Sequence, residues 1–125
     1  MIVTKPTDQF PTDEWLLDVF SNWFDPCPLN DAPEVDGLSI EWPDKTYVNP
    51  PYSNPKPWVL KAINENYGGG KTIVLLLKMD SSTEWFKALQ EAGARFLWIN
   101  TRLHHGAPHP APFPSMLAVL SKRFE

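Results

Sequence analysis

The stretch Lys71-Thr-Ile-Val-Leu-Leu-Leu-Lys78 decides the fold class of this chain. Its five central residues are all apolar and show no polar alternation, so a strand built from them has to be covered on both faces. Strands of this kind lie inside a sheet that carries helices on its two sides. We therefore expect residues 71–78 to form a central, parallel strand.

Helices and further strands are predicted on either side of this strand. Thr12 precedes apolar residues at helical spacing, which predicts a short first helix. A second helix is expected to end at Gly68, and a capping box of Ser81 and Glu84 predicts a third helix that Gly93 closes. Further strands are expected at residues 22–25, 45–49, 95–100 and 116–121.

The alternation of strands and helices favours an α/β architecture with a mostly parallel sheet and short flanking helices. No internal repeat or second domain is visible, so residues 1–125 are expected to form one domain. Ligands of such sheets bind at the carboxyl ends of the strands. Asp25 and Asn49 both fall at predicted strand ends.

The composition indicates a globular protein. The apolar share of 42% with 21% charged residues is too hydrophobic for a disordered chain, and a single cysteine excludes an internal disulfide framework. The longest aliphatic run is far shorter than the ~20 residues of a membrane span, and the N-terminus has no apolar signal core. We expect a cytoplasmic protein with no membrane partner.

The net charge of −4 argues against a protein that coats nucleic acid without specificity. Its distribution is uneven, because residues 1–48 hold 10 acidic and two basic residues, whereas residues 49–125 hold five acidic and nine basic ones. The first part could therefore face a cation and the second an anion, unless these charges only solvate the surface.

The tetrapeptide Asn49-Pro50-Pro51-Tyr52 is the most informative motif of the chain. Two successive prolines remove two backbone donors and leave carbonyl groups as acceptors. An Asn oxygen beside such a carbonyl can accept both hydrogens of a planar amino group, and a nearby aromatic ring can stack on the ring that bears it. This arrangement suits the exocyclic amine of a nucleobase, although the same residues could form a plain strand-to-helix turn.

This motif resembles the catalytic motif of DNA methyltransferases that modify amino groups, and the wider pattern is similar to the phage-type DNA N-6-adenine methyltransferase family. Ordered matches run through residues 10–120; they include Phe24-Asp-Pro-Cys, Gly37-Leu with Trp42, Pro57-Trp-Val, Ser82-Thr-Glu-Trp-Phe and Ala111-Pro-Phe-Pro-Ser-Met. The resemblance implies a minimal Rossmann-like class I methyltransferase. Its reaction would be methyl transfer from S-adenosylmethionine to the exocyclic amine of adenine in DNA.

Roles for the loop residues follow from the same resemblance. Asn49 and the Pro50 carbonyl would hold and polarise the amine, and Tyr52 would stack on the flipped-out base. Pro51 and Ser53 would complete the base-binding loop. No metal ion is required by this chemistry.

Cofactor contacts are expected from the acidic part of the chain. The resemblance places Asp25 and Pro26 at the cationic methionine end of S-adenosylmethionine, and Asp36 is a candidate acceptor for its adenosine. Thr12 would contribute from the N-terminal segment. Asp before Pro also closes turns, and Thr also caps helices, so structural roles for Asp25 and Thr12 remain open.

Other residues are assigned to the DNA side or to the core. Lys56, Lys61 and Arg102 are candidates for neutralising phosphates around the target adenine. His104, His105 and His109 lie in a proline-stiffened segment without the further ligands of a metal site. Most tryptophans are expected in the core, with Trp42 as the exception that touches cofactor.

Two departures from the family pattern matter for function. The chain has no glycine-rich cofactor loop after the first strand, and no separate target-recognition domain is visible. Relaxed sequence specificity or a homodimer is therefore plausible, and a phage origin would place the protein in the host cytoplasm. The alternative to a site-specific adenine methyltransferase is an inactive module that retains the base pocket and binds nucleic acid or cofactor.

Overall fold

The structure is a computed structural model that describes residues 14–28, 36–99 and 114–121. The elements in chain order are α1 (Glu14–Val19), β1 (Thr46–Val48), α2 (Lys56–Gly69), β2 (Ile73–Lys78), α3 (Glu84–Glu91), β3 (Arg95–Trp98) and β4 (Ser115–Leu120). No helix in the described ranges is long and apolar enough to cross a membrane. The α/β class expected from the sequence is confirmed.

The strands form one sheet in the order β1-β2-β4-β3, so β2 is an interior strand, as its apolar run predicts. The expectation of a mostly parallel sheet is wrong. β1 and β2 pair in parallel, but β4 pairs antiparallel with both β2 and β3. Parallel neighbours need a long crossover, usually a helix, and the proline-rich sequence between β3 and β4 is unsuited to a helix.

Each face of the sheet is covered by a different layer. On one face, Val59 and Ala62 of α2 and Phe86 and Leu89 of α3 pack against alternate residues of β2 and β4. On the opposite face, Leu16 of α1 packs with Tyr47, Val74 and Leu76. Residues 73–77 are consequently all buried, which confirms the two-sided cover expected for this strand.

The helix ends show how local sequence fixes the loops around the sheet. Pro55 is the N-cap of α2, and Gly70 ends the helix in the left-handed conformation at φ 65°. α3 begins differently from the predicted capping box, because Thr83 and not Ser81 is its N-cap. The Thr83 hydroxyl accepts a hydrogen bond from Phe86 N at 3.2 Å, so the helix starts two residues later than the motif suggests.

The expectation that Trp42 touches the cofactor is wrong. Its side chain is 0% exposed, whereas Trp15 and Trp98 are 51% and 57% exposed. Trp42 Nε1 donates a hydrogen bond to the Gly37 carbonyl at 2.7 Å, which satisfies the indole inside the core. Trp42 is therefore a core residue.

Candidate functional site

Asp25 and Asn49 lie at one edge of the sheet, each just past the end of a neighbouring strand or bridge. Phe24 forms a parallel bridge with Thr46, and Tyr47 N donates to Phe24 O at 2.8 Å. Asp25 follows this bridge and Asn49 follows β1, so both occupy the edge where carboxyl ends meet. This is the position at which parallel strands present ligand-binding groups.

The loop from Asn49 to Pro55 contains three prolines and one tight turn. Asn49 is 7% exposed, and Asn54 N donates to Pro51 O at 3.3 Å. The Pro50 carbonyl has no hydrogen-bond partner in the described part of the chain. Pro55 and Pro57 then start α2, where a missing N–H removes nothing from the helix. The Pro50 carbonyl is thus a preformed acceptor beside Asn49, and both residues are buried.

A pocket of about 110 Å³ opens between this loop, the end of β2 and the start of α3. That volume is somewhat smaller than the ~150 Å³ of a cavity known to hold one benzene ring. Its lining includes residues of all three segments: Tyr52, Pro55, Lys78, Asp80, Thr83 and Trp85. Tyr52 therefore lines an open pocket that, at this volume, is smaller than a cavity for one flat ring.

Asp80 and Thr83 are pocket residues that the sequence reasoning missed. Asp80 Oδ1 accepts hydrogen bonds from Ser82 N at 3.1 Å and Ser82 Oγ at 2.5 Å. These bonds, helped by the charge of Lys78, lower the pKa of Asp80 and keep it ionised. The signal that could have found it is its place two residues after the end of β2, at the same edge as Asn49.

The Asp25 carboxylate belongs to an exposed residue in a turn that the neighbouring chain partly shields from water. Its Oδ1 accepts a hydrogen bond from Cys27 N at 2.9 Å, which closes the turn that Asp before Pro commonly forms. Removal of water by the surrounding chain raises the pKa of Asp25, and the Cys27 N–H offsets only part of this effect. Among the described residues, the Cys27 N–H is the one group that donates a hydrogen bond to the Asp25 carboxylate. A cationic partner would therefore stabilise the ionised carboxylate.

Asp36 lies in a second turn beside the first. Its Oδ1 accepts a hydrogen bond from Leu38 N at 3.0 Å, and its main-chain carbonyl accepts bonds from Ser39 N and Ser39 Oγ. The neighbouring Gly37 packs on the backbone of Pro26. The two candidate cofactor carboxylates are thus carried by two adjoining loops.

Comparison with known proteins identifies the family of this chain. The family model described as DNA N-6-adenine-methyltransferase (Dam) matches residues 7–110. The chain belongs to this family. The resemblance noted from its motifs is confirmed, with the Asn49 loop and both candidate carboxylates inside the matched range.

Two curated relatives are also similar. The DNA N-6-adenine-methyltransferase of Haemophilus phage HP1 is 40% identical over 74 residues, which cover 58% of this chain and 43% of that protein. The protein of the same name from Escherichia phage T1 is 40% identical over 79 residues, covering 62% of this chain and 33% of the relative. The Dam-family chain therefore spans less than half the length of these relatives. No solved structure matches it.

The two candidate lysines of this Dam-family chain have different surroundings. Lys56 Nζ lies 2.8 Å from Glu84 Oε2 on the surface, where the lysine side chain is 51% exposed. Lys61 Nζ lies 3.0 Å from Glu65 Oε2, its side chain is 19% exposed, and it sits 5.6 Å above the Trp42 ring. Contact of Lys56 with DNA stays a prediction, and the cover over Lys61 makes Lys61 the weaker of the two candidates.

Several expectations concern residues outside the described ranges. They are Thr12, Arg102, His104, His105 and His109. Within the described ranges, no group of three or more His, Cys, Asp or Glu residues could hold a metal ion. The single-domain organisation of residues 1–125 and the possible homodimer also stay predictions.

Proposed function

We propose that this Dam-family chain transfers a methyl group from S-adenosylmethionine to the exocyclic amine of adenine in DNA. The observation that carries the proposal is the position of the Asn49 loop. It leaves the carboxyl end of β1 with a Pro50 carbonyl that no group of the described residues bonds, beside Asn49, and it brings Tyr52 into the lining of the pocket. The family and the two phage relatives support the same reaction.

We further infer that the sheet is a minimal version of the Rossmann-like methyltransferase sheet. The Phe24 bridge, β1 and β2 run in one direction, with α2 as the crossover between the two strands. Because β3 is antiparallel to β4, it also runs in that direction, so β4 alone among the described strands is reversed. The carboxyl ends of the aligned strands supply the candidate site residues.

The Asn49 loop would act on the target base by holding its amine. The Asn49 side-chain oxygen and the Pro50 carbonyl are two acceptors for the two amine hydrogens. Because the amine lone pair of adenine is delocalised into the ring, acceptors that favour a tetrahedral nitrogen make it more nucleophilic. Their rigid placement by proline removes the need to reorganise during the reaction. Stacking on Tyr52 would stabilise an adenine that has left the helix.

The candidate cofactor residues fit the charge of S-adenosylmethionine. When bound, S-adenosylmethionine supplies an electrophilic methyl group on a sulfonium. Asp25 presents a carboxylate that accepts a hydrogen bond from Cys27 N, and a cationic amino-acid end beside it would offset the effect of lost water on its pKa. Pro26 shapes the turn that carries it, and Asp36 offers a second carboxylate from the adjoining loop.

The direct test is transfer of labelled methyl from S-adenosylmethionine to unmethylated DNA. Asn49→Ala should lower turnover by about 10²- to 10³-fold, which is typical of losing one preorganised polar contact. Asn54→Ala is the matched control, because Asn54 is an exposed asparagine of the same loop. Thermal unfolding of both variants separates loss of chemistry from loss of fold.

Tyr52 variants test the assigned pocket in the same assay. Tyr52→Ala should weaken capture of the base by about 1–3 kcal/mol, whereas Tyr52→Phe keeps the ring and should be tolerated. Wild-type turnover in folded Asn49→Ala would exclude the assignment. Binding of DNA and cofactor without any transfer by the wild type would favour the alternative of an inactive binding module.

A further inference from the structure

Gly37 occupies a place with no room for a side chain. A Cβ atom there would overlap the Pro26 carbonyl oxygen, and it would lie 2.8 Å from the Pro26 carbonyl carbon and 3.0 Å from Trp58 Cζ3. The described glycines with positive φ are Gly70 and Gly93, so Gly37 does not owe its presence to a left-handed backbone. Close approach of the two loops is what requires glycine at this position.

Trp42 holds Gly37 against Pro26 from the core side. Its indole N–H donates to the Gly37 carbonyl at 2.7 Å, and its ring stacks on Trp58 with centroids 6.4 Å apart. The ring is fully buried, so this hydrogen bond is shielded from water. We call Pro26, Gly37, Trp42 and Trp58 the Gly37 clamp.

Glu65 anchors the backbone of Trp42. Glu65 Oε1 accepts hydrogen bonds from Trp42 N at 3.2 Å and from Lys71 Nζ at 2.5 Å, and Oε2 accepts one from Lys61 Nζ at 3.0 Å. Burial alone would raise the pKa of Glu65, but the bonds from Lys71, Lys61 and Trp42 outweigh it and lower the pKa. An ionised carboxylate in α2 therefore fixes the base of the clamp.

We propose that Gly37 is a positioning residue for the cofactor, because the clamp sets the distance between the loops that carry Asp25 and Asp36. Each aspartate directly precedes a residue of the contact, Pro26 or Gly37. A methyl group at Gly37 would push the two loops apart and move one carboxylate relative to the other. Displacements near 1 Å in a catalytic constellation can cost about 10²-fold in rate, and we expect a comparable misplacement of the two carboxylates to weaken cofactor binding.

The proposal rests on the proposed function, since it assigns S-adenosylmethionine to these loops. It adds a role for Gly37 and Trp42 that involves no contact with the ligand. A purely structural role would lower the melting temperature alone. A positioning role also raises the cofactor Kd, and raises KM for cofactor more than it lowers kcat at saturating cofactor.

The test is titration calorimetry of the full chain with S-adenosylmethionine and, separately, with the unreactive product S-adenosylhomocysteine. Gly37→Ala should raise both Kd values by about tenfold or more. Gly68→Ala is the matched control, because a Cβ at Gly68 meets nothing within 4 Å, and it should leave both values unchanged. DNA affinity without cofactor should be the same for all three proteins.

A second variant keeps the proposal testable if Gly37→Ala does not fold. Trp42→Phe retains an aromatic ring and removes the N–H that bonds the Gly37 carbonyl. It should raise the cofactor Kd severalfold at a temperature where the variant is folded. Cofactor Kd values within twofold of wild type in a folded clamp variant would overturn the positioning role alone. Absence of cofactor binding by the wild type would overturn the proposed function and this role together.

Discussion

At the scale of single residues, Cys27 shows how the environment decides chemistry. Its side chain is buried, and burial together with the charge of Asp25 raises the pKa of Cys27 to about 12. The thiolate is the reactive form of cysteine, so this thiol is protected at ordinary pH. Cys27 therefore packs as a small apolar residue beside the candidate cofactor loop.

We predict that Cys27 resists alkylation in the folded chain. At pH 8, a pKa shift from 9.0 to about 12 lowers the thiolate fraction by about a thousandfold. Reaction with iodoacetamide, followed by mass spectrometry, should be slow in buffer and fast in denaturing urea. Asp25→Asn should speed the native reaction, since it removes the charge that disfavours the thiolate. Equal alkylation rates in buffer and in urea would show that the Cys27 thiol is accessible and that its pKa is not raised.

Asn49 and Trp42 mark what the sequence can and cannot predict at this scale. The strand-end position of Asn49 follows from a β-branched and aromatic run that stops at two prolines, which is a local signal. The burial of Trp42 depends on Glu65, 23 residues away, and on a glycine with no side chain to indicate its contacts. Only the tertiary structure brings these partners together, so the expectation for Trp42 was wrong.

At the scale of elements, the start of α3 gives a direct stability prediction. Thr83→Ala removes the acceptor for Phe86 N, and N-cap losses of this kind cost about 1 kcal/mol. Ser81→Ala should leave the free energy of unfolding nearly unchanged, because Ser81 does not cap the helix. Urea denaturation of the two variants measures the difference. A larger loss of unfolding free energy for Ser81→Ala than for Thr83→Ala would show that Ser81 caps the helix, as the capping-box motif predicts.

The strand directions could be predicted only in part. β1, α2 and β2 form the parallel unit that their alternation indicates. The reversal of β4 has no signature in its own residues, because an alternation of buried and half-buried apolar residues reads the same in either direction. The informative feature was the proline-rich segment before it, which leaves little scope for a crossover helix.

At the scale of the whole molecule, the ion pairs of two lysines decide which of them can reach a DNA phosphate. Lys56 and Glu84 join the N-terminal ends of α2 and α3, and Pro55 and Thr83 beside them line the pocket. An exposed ion pair of this kind is weak, so a DNA phosphate could replace Glu84 as the partner of Lys56. Lys61 is engaged with Glu65 and is mostly covered.

We predict that the two lysines differ in the salt dependence of DNA binding. Lys56→Ala should reduce the slope of log affinity against log salt by about 0.9, the value for one phosphate contact. Lys61→Ala should leave the slope unchanged, and Glu84→Gln should strengthen binding at low salt by releasing Lys56. Fluorescence anisotropy with a labelled duplex measures all three. An unchanged slope for Lys56→Ala would remove this residue from the DNA path.

The reversed direction of β4 has a consequence for protein engineering. Ser115 pairs with Lys78 at the edge that holds Asn49, whereas Leu120 pairs with Ile73 at the far edge. A sequence-specific module fused after Ser121 would start one strand length, about 20 Å, from the pocket lined by Tyr52. A module inserted between Ile99 and Pro114 would start at the pocket edge, because Ile99 N donates to Ser115 O and Met79 N to Pro114 O. Under the proposed function, a targeted methylation tool built on this chain should carry its DNA-recognition module at an internal insertion point, with short linkers.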